Sequence, residues 1–249
     1  MAEKTLTTPI KEAVCLHAQK IYDACRDRDC PENLRVYFTR SGQAVIDGAV
    51  NVKCRDAELI WCGLDVERVA FNRGFYSVDV RYCYRITADA YTGAERPTEV
   101  CGLAVYNKSV ILFGSEGNAK TYSSVGGLGC LTQGNLPTAV VEAVDPVCLS
   151  IRLTDTQEGS APSIPEHILE SFDGDLVLEG GARFVYCTLG QFSIVRLERG
   201  TQLVMPAYDF CMPEKECIGG SEDNPCDLFR SIKFPADEFF PPAEGDFSS

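Results

Sequence analysis

The chain has 249 residues, of which 45% are hydrophobic and 24% are charged, with thirteen cysteines and a formal net charge of -13. This length can bury a hydrophobic core without disulfides, in one large or two small domains. An acidic surface repels phosphate groups, so nucleic acid and anionic membranes are not expected partners. No apolar run approaches the roughly 18 residues of a membrane-spanning helix.

The first segment has the pattern of a helix. Thr8 can cap it, Pro9 suits the first helical position, and Glu12 falls in the first turn. Residues at helical spacing then follow: Ile10, Val14, His17, Ile21 and Cys25. We therefore predict a helical segment within residues 1–33, which ends at the charged run Arg26–Asp29.

The chain from residue 34 to residue 220 favours strands. Residues 76–87 alternate apolar and polar side chains, the pattern of a half-buried strand, and Cys83 falls on the polar face. We predict a first β-rich module over residues 34–135 and a second over residues 136–220. The predicted fold class is α+β, mainly β, with an N-terminal helix followed by one or two β-sandwich-like modules.

Residues 221–249 form an acidic tail rich in proline and phenylalanine, without the patterning of a core element. The tail could lie over its own domain. In the alternative, Phe234, Phe239 and Phe240 anchor it in pockets on a neighbouring subunit, as aromatic residues do at interfaces.

The cysteine spacing is not that of a metal site. Structural zinc sites use cysteines separated by two residues; no two cysteines of this chain are that close, and His17 and His167 are isolated. The stretch Gly114–Lys120 lacks the spacing of a phosphate-binding loop. We predict no metal, no cofactor and no enzymatic activity, and keep a thiol enzyme or a metal-binding protein as less favoured alternatives.

Three segments resemble a known group of proteins: Leu16–Tyr37, Val66–Val80 and Ile111–Ser124. They are similar to a mostly uncharacterised family of cysteine-bearing proteins from anaerobic, spore-forming clostridia, over most of residues 14–210. The resemblance implies a cysteine-rich protein of the spore surface, in the exosporium or coat, which self-assembles and becomes crosslinked. It supplies no catalytic residues.

Residues Met1–Ile10 lack the basic start and apolar run of a secretion signal. We expect synthesis in the mother-cell cytoplasm, where thiols stay reduced, and release to an oxidising spore surface when that cell lyses. The predicted function is structural: copies of the chain assemble into a layer or appendage, with other spore-surface proteins as further partners. The alternative is a monomeric β-rich module that binds carbohydrate or a protein.

The cysteines predicted to form crosslinks lie in polar or turn settings: Cys25, Cys30, Cys83, Cys130, Cys211, Cys217 and Cys226. Cys15, Cys148 and Cys187 lie in apolar stretches and are expected to be buried thiols. Each disulfide would contribute about 2–4 kcal/mol against unfolding or dissociation. An odd number of cysteines leaves one thiol over for a bond to another chain.

Overall fold

A computed structural model describes residues 12–93, 96–117, 121–122, 131–133, 136–157 and 161–207. The chain divides into two compact units. One unit is Gln19–Thr201, and the other combines Met1–Ala18 with Gln202–Ser249. Of the second unit, only residues 12–18 and 202–207 are described, and both stretches are extended strand.

The described chain is mostly β-strand. The strands are β1 (Glu12–Asp29), β2 (Leu34–Phe38), β3 (Asn51–Arg68), β4 (Phe75–Tyr91), β5 (Thr98–Phe113), β6 (Thr121–Tyr122), β7 (Leu131–Gln133), β8 (Thr138–Ala143), β9 (Val147–Thr154) and β10 (Phe184–Ala207). The described helices are α1 (Arg40–Gly48) and α2 (Glu166–Leu169). Within the described ranges, no helix is long and apolar enough to cross a membrane.

Eight strands form one large antiparallel sheet, in the order β1, β10, β2, β5, β4, β3. β8 and β9 also pair with β10, whereas β6 and β7 form a separate pair. β3, β4 and β5 pair over most of their lengths. Because β3 also packs against β8 and β9, the sheet folds over a shared interior.

The predicted N-terminal helix is wrong, because the described part of that segment is strand β1. Cys25, Asp27 and Asp29 are half-buried, whereas the residues between them are exposed, which is the two-residue period of a strand. Lys108 pairs with both aspartates and makes their inward position possible. The protein is therefore mostly β, not a helix-first α+β fold. The expected cap at Thr8 lies outside the described residues.

The strand predicted over residues 76–87 is confirmed as part of β4. Its alternate residues fill the main core: Tyr76, Val78, Val80, Tyr82, Tyr84 and Ile86. β10 contributes the facing side chains: Val185, Cys187, Leu189, Val195 and Leu197. Burial of this apolar surface stabilises the fold by about 25 cal/mol per Å².

The opposite face of β4 is also covered. Cys83 and Leu103 are 0% exposed there, and Ile168 and Phe172 pack on them, with Trp61 alongside. Ile168 belongs to α2, which lies far along the chain. The expectation that Cys83 is open to a partner chain is therefore wrong, because a distant segment covers the face that the local pattern marked as polar.

Candidate functional site

Five large apolar side chains are exposed on the outer face of β9 and β10 and in the turn between β8 and β9. We call them the outer patch: Val144, Val147, Leu149, Phe192 and Ile194, which are between 42% and 59% exposed. Outward-facing residues of such a sheet are usually polar. A contiguous apolar patch on a protein surface marks an interaction site.

The patch is continuous because its strands are in register. The backbone N–H of Val144 donates to the carbonyl oxygen of Phe192 at 3.4 Å, and Val147 pairs with Gly190. A Cβ atom at Gly190 would stand 3.5 Å from Cδ1 of Leu149, so the leucine lies directly over the glycine. The five side chains therefore form one surface.

A groove of about 780 Å³ is lined by three residues of this surface, Phe192, Ile194 and Val144, and also by Arg26 and Arg28. Both arginines are exposed, and neither forms an ion pair with another described residue. The groove thus combines apolar side chains with two arginines, which we call the arginine rim, on a chain whose net charge is -13.

The two carboxylates in the groove wall already have cationic partners. Glu142 forms an ion pair with Arg196 at 2.7 Å, and Asp27 lies 3.3 Å from Nζ of Lys108. Lys108 and Arg196 each pair with a second carboxylate as well, Asp29 and Glu198. Arg26 and Arg28 are therefore the cations of the groove lining that have no carboxylate partner among the described residues.

The rim is oriented by what we call the charged seam, the contacts of Asp23, Asp27, Asp29 and Lys108 between β1 and β5. Nζ of Lys108 donates to Oδ2 of Asp29 at 2.5 Å and to Oγ of Ser193 at 3.1 Å. Oδ2 of Asp23 accepts from the backbone N–H of Phe113 at 3.0 Å. Holding the aspartates inward places the intervening arginines on the outside.

Lys108 is only 7% exposed, and Asp29 11%. Burial by itself would lower the pKa of Lys108, but the hydrogen bond to Asp29 and the two nearby carboxylates outweigh it and raise the pKa above the usual lysine value. The lysine therefore stays charged inside the protein and offsets part of the negative charge of Asp27 and Asp29.

Three further thiols meet on the other side of the interior, and we call them the thiol seam: Cys54 of β3, Cys148 of β9 and Cys187 of β10. All three pack on the main core. Cys54 and Cys148 are hydrogen-bonded to each other, and burial raises the pKa of Cys187 to about 12. This cluster contains none of the cysteines predicted to crosslink.

The predicted crosslinking cysteines lie in three different environments. Cys30 is exposed, Cys25 is half-buried against the main core, and Cys83 is buried. Of the thiols expected to be buried, Cys187 is buried and Cys148 is half-buried, but Cys15 is exposed. The remaining predicted residues lie outside the described ranges: Cys130, Cys211, Cys217, Cys226, Phe234, Phe239 and Phe240.

Sequence reasoning missed the outer patch, although a signal was present. Residues 192–197 read Phe-Ser-Ile-Val-Arg-Leu, so apolar side chains occur on both faces of the strand. A strand with one solvated face should alternate more strictly. The apolar residues on the second face of this strand were the sequence signal that this face is covered or forms a contact.

No group of three or more metal-ligating side chains is placed to hold an ion within the described part of the chain. Comparisons with protein-family models, with curated proteins and with solved structures found no match to this chain.

Proposed function

We propose that this protein is structural and assembles with copies of itself, the tail of one copy occupying the outer patch of the next. The observation that carries the proposal is the outer patch with its arginine rim. The spore surface as its final location, after release from the mother cell, is proposed from the resemblance described for residues 14–210.

The tail has the composition that this surface requires. Residues 234–247 contain four phenylalanines and four acidic residues but no basic residue. The rings would pack on the outer patch while carboxylates face Arg26 and Arg28. Prolines at 235, 241 and 242 restrict the backbone and reduce the entropy lost on docking.

Apolar burial should supply most of the affinity. A fully buried phenylalanine contributes about 1.5–3 kcal/mol, whereas an exposed ion pair contributes about 0–1 kcal/mol and weakens with salt. The arginines would thus favour an acidic tail over other apolar segments and speed its approach. The phenylalanines would hold it.

An arm that binds a different surface on the next molecule makes a head-to-tail contact. Contacts of this type build rings or open filaments rather than closed dimers. Disulfides between exposed thiols, such as Cys30, would then reinforce an assembly that already exists, and the odd number of cysteines leaves at least one thiol for this purpose.

Sedimentation with reductant present tests the noncovalent step. The full chain should form high-mass species, and a chain that ends after Cys226 should associate less. Replacing both Phe239 and Phe240 by serine should have the same effect, whereas Phe229→Ser, outside the proposed docking segment, should change little.

The role of the outer patch is tested with Phe192→Asp, which places a charge among its apolar side chains. The matched control is Phe71→Asp, because Phe71 is fully exposed elsewhere. Only the first should reduce association. A full chain that remains monomeric at high concentration contradicts assembly. If a labelled 234–247 peptide then binds the truncated chain but not the monomeric full chain, the tail docks within its own molecule.

A second candidate function, carbohydrate binding, is favoured by another groove. It measures about 730 Å³ and is lined by Trp61, Asp65, Asp79, Arg81 and Asn107, an aromatic ring among polar groups that can bond sugar hydroxyls. Retention on polysaccharide columns tests it, with Asp79→Ala expected to abolish retention without a change in Tm. A chain that elutes unretarded contradicts this function.

A further inference from the structure

β3 and β9 lie side by side without sharing a backbone ladder. In the described sheet, β3 pairs with β4 and β9 pairs with β10, yet β3 packs against β9. Oδ1 of Asp145, in the turn before β9, accepts from the backbone N–H of Leu59 in β3 at 2.9 Å. Side chains rather than backbone ladders therefore join these two strands.

A β-bulge in β3 turns Cys54 into the interior. Cys54 pairs with Ala88 and Ala57 with Ile86, with a register shift at Arg55. Cys54 and Ala57 both pack on the main core, although residues three apart in a regular strand face opposite sides. The extra residue of the bulge is what re-aims the thiol.

A second bulge does the same in β9. Cys148 pairs with Leu189 and Ile151 with Cys187, with a register shift between them. Cys148 and Ile151 again pack on the same core despite their spacing of three. Two independent irregularities thus turn one thiol from each strand toward the same place, where the thiols are hydrogen-bonded to each other.

We propose that Cys54 and Cys148 form a disulfide that closes the gap between β3 and β9 under oxidising conditions. The bond is within one chain and does not rest on the proposed assembly function. It also differs from the crosslinks predicted from the sequence, since Cys54 was not among those candidates and Cys148 was expected to be only a buried thiol.

The hydrogen bond prepares the pair for thiol–disulfide exchange. The contact between the two thiols lowers the pKa of Cys148, while the same contact, together with burial, raises the pKa of Cys54. Cys148 is therefore the thiol of the pair that ionises more readily, and its thiolate is the form that attacks a disulfide. Cys54 is the thiol that resolves the intermediate.

The oxidant is a small-molecule disulfide such as oxidised glutathione. The Cys148 thiolate attacks one of its sulfurs, which forms a mixed disulfide and releases one glutathione thiolate. That thiolate takes the proton of Cys54, whose sulfur then attacks Sγ of Cys148 and displaces the second glutathione as thiolate. Two cysteines are oxidised by two electrons, and one disulfide is reduced to one thiol and one thiolate.

The full chain, purified with reductant and then treated with oxidised glutathione, tests the pairing. Unreacted thiols are blocked by alkylation, and unreduced peptides are mapped by mass spectrometry. We expect a linked peptide pair that contains Cys54 and Cys148. A map in which both cysteines remain alkylated, or in which either is joined to Cys187, overturns the proposal.

Stability provides a second readout, as the difference in Tm between the oxidised and the reduced form of the same variant. Closing a loop of this length should raise the Tm of the wild type by roughly 10 °C. Cys54→Ala and Cys148→Ala should each abolish that rise, whereas Cys101→Ala, a half-buried thiol of β5, should keep it. If an alanine variant does not fold, the wild-type peptide map still decides.

Discussion

The charged seam and the thiol seam occupy comparable positions but use different chemistry. At each of them, two strands that are not ladder partners are joined by side chains: β1 to β5 through Lys108 and its carboxylates, and β3 to β9 through Asp145 and the two thiols. The first contact works only while its charges are present. The second can change from a hydrogen bond to a covalent bond, so the two seams should respond to different conditions.

Removing the cation of the charged seam should have the largest effect. Lys108→Ala leaves Asp29, which is 11% exposed, without its partner. The free energy of unfolding should fall by about 3 kcal/mol, near the lower end of the cost of breaking a buried pair, because Asp27 is partly solvated. Urea denaturation measures this. Arg40→Ala, which removes an exposed ion pair with Asp175, is the control and should change stability by less than about 0.5 kcal/mol.

The stability lost in Lys108→Ala should depend on pH. The pKa of Lys108 is raised in the folded protein, so its stabilising effect is fully present below the ordinary lysine pKa of about 10.4 and is lost as pH rises through the folded value. The stability difference between wild type and Lys108→Ala should be constant from about pH 8 to 10 and then shrink. A difference that grows above pH 10.5 would contradict the role given to this lysine.

A smaller effect is expected at the thiol seam from Asp145→Ala. The variant removes the acceptor for the Leu59 N–H, so the reduced protein should lose about 1 kcal/mol. Because the turn then holds β9 less firmly against β3, the yield of the Cys54–Cys148 disulfide should also fall. An unchanged yield would show that the bulges alone bring the thiols together.

The smallest effect concerns Tyr84, which is fully buried in the main core. Its buried hydroxyl has no hydrogen-bond partner among the described residues, and burial raises its pKa. Tyr84→Phe should therefore leave the free energy of unfolding unchanged or raise it by up to about 1 kcal/mol. A clear loss of stability would reveal a partner for the hydroxyl, such as a bound water.

The two seams also differ in how far the sequence predicts them. The run Arg26–Asp29 alternates sign at every residue, which we interpret from the sequence as the end of a helix, whereas the segment is strand. The interpretation failed because inward-facing aspartates contradict the rule that buried positions are apolar. Lys108, some eighty residues away, removes that contradiction, and no local pattern connects it to β1.

No pattern in the sequence predicts the thiol seam. Predicting that Cys54 and Ala57 share a face requires the bulge at Arg55, and a bulge depends on the partner strand's register. Cys83 shows a different error. The sequence predicts its strand and its face correctly, but Ile168 and Phe172 cover that face, so the thiol is buried.

Local pattern alone was enough to predict β4, because alternation of apolar and polar side chains is a property of neighbouring residues and of the geometry of a strand. The acidic charge and the phenylalanine-rich tail are likewise properties of composition. The pairing of Lys108 with β1, the meeting of Cys54 and Cys148, and the outer patch beside Arg26 and Arg28 were decided only by the tertiary structure. Each depends on strands that are distant in sequence, and their contacts are set by register, bulges and burial that no single segment contains.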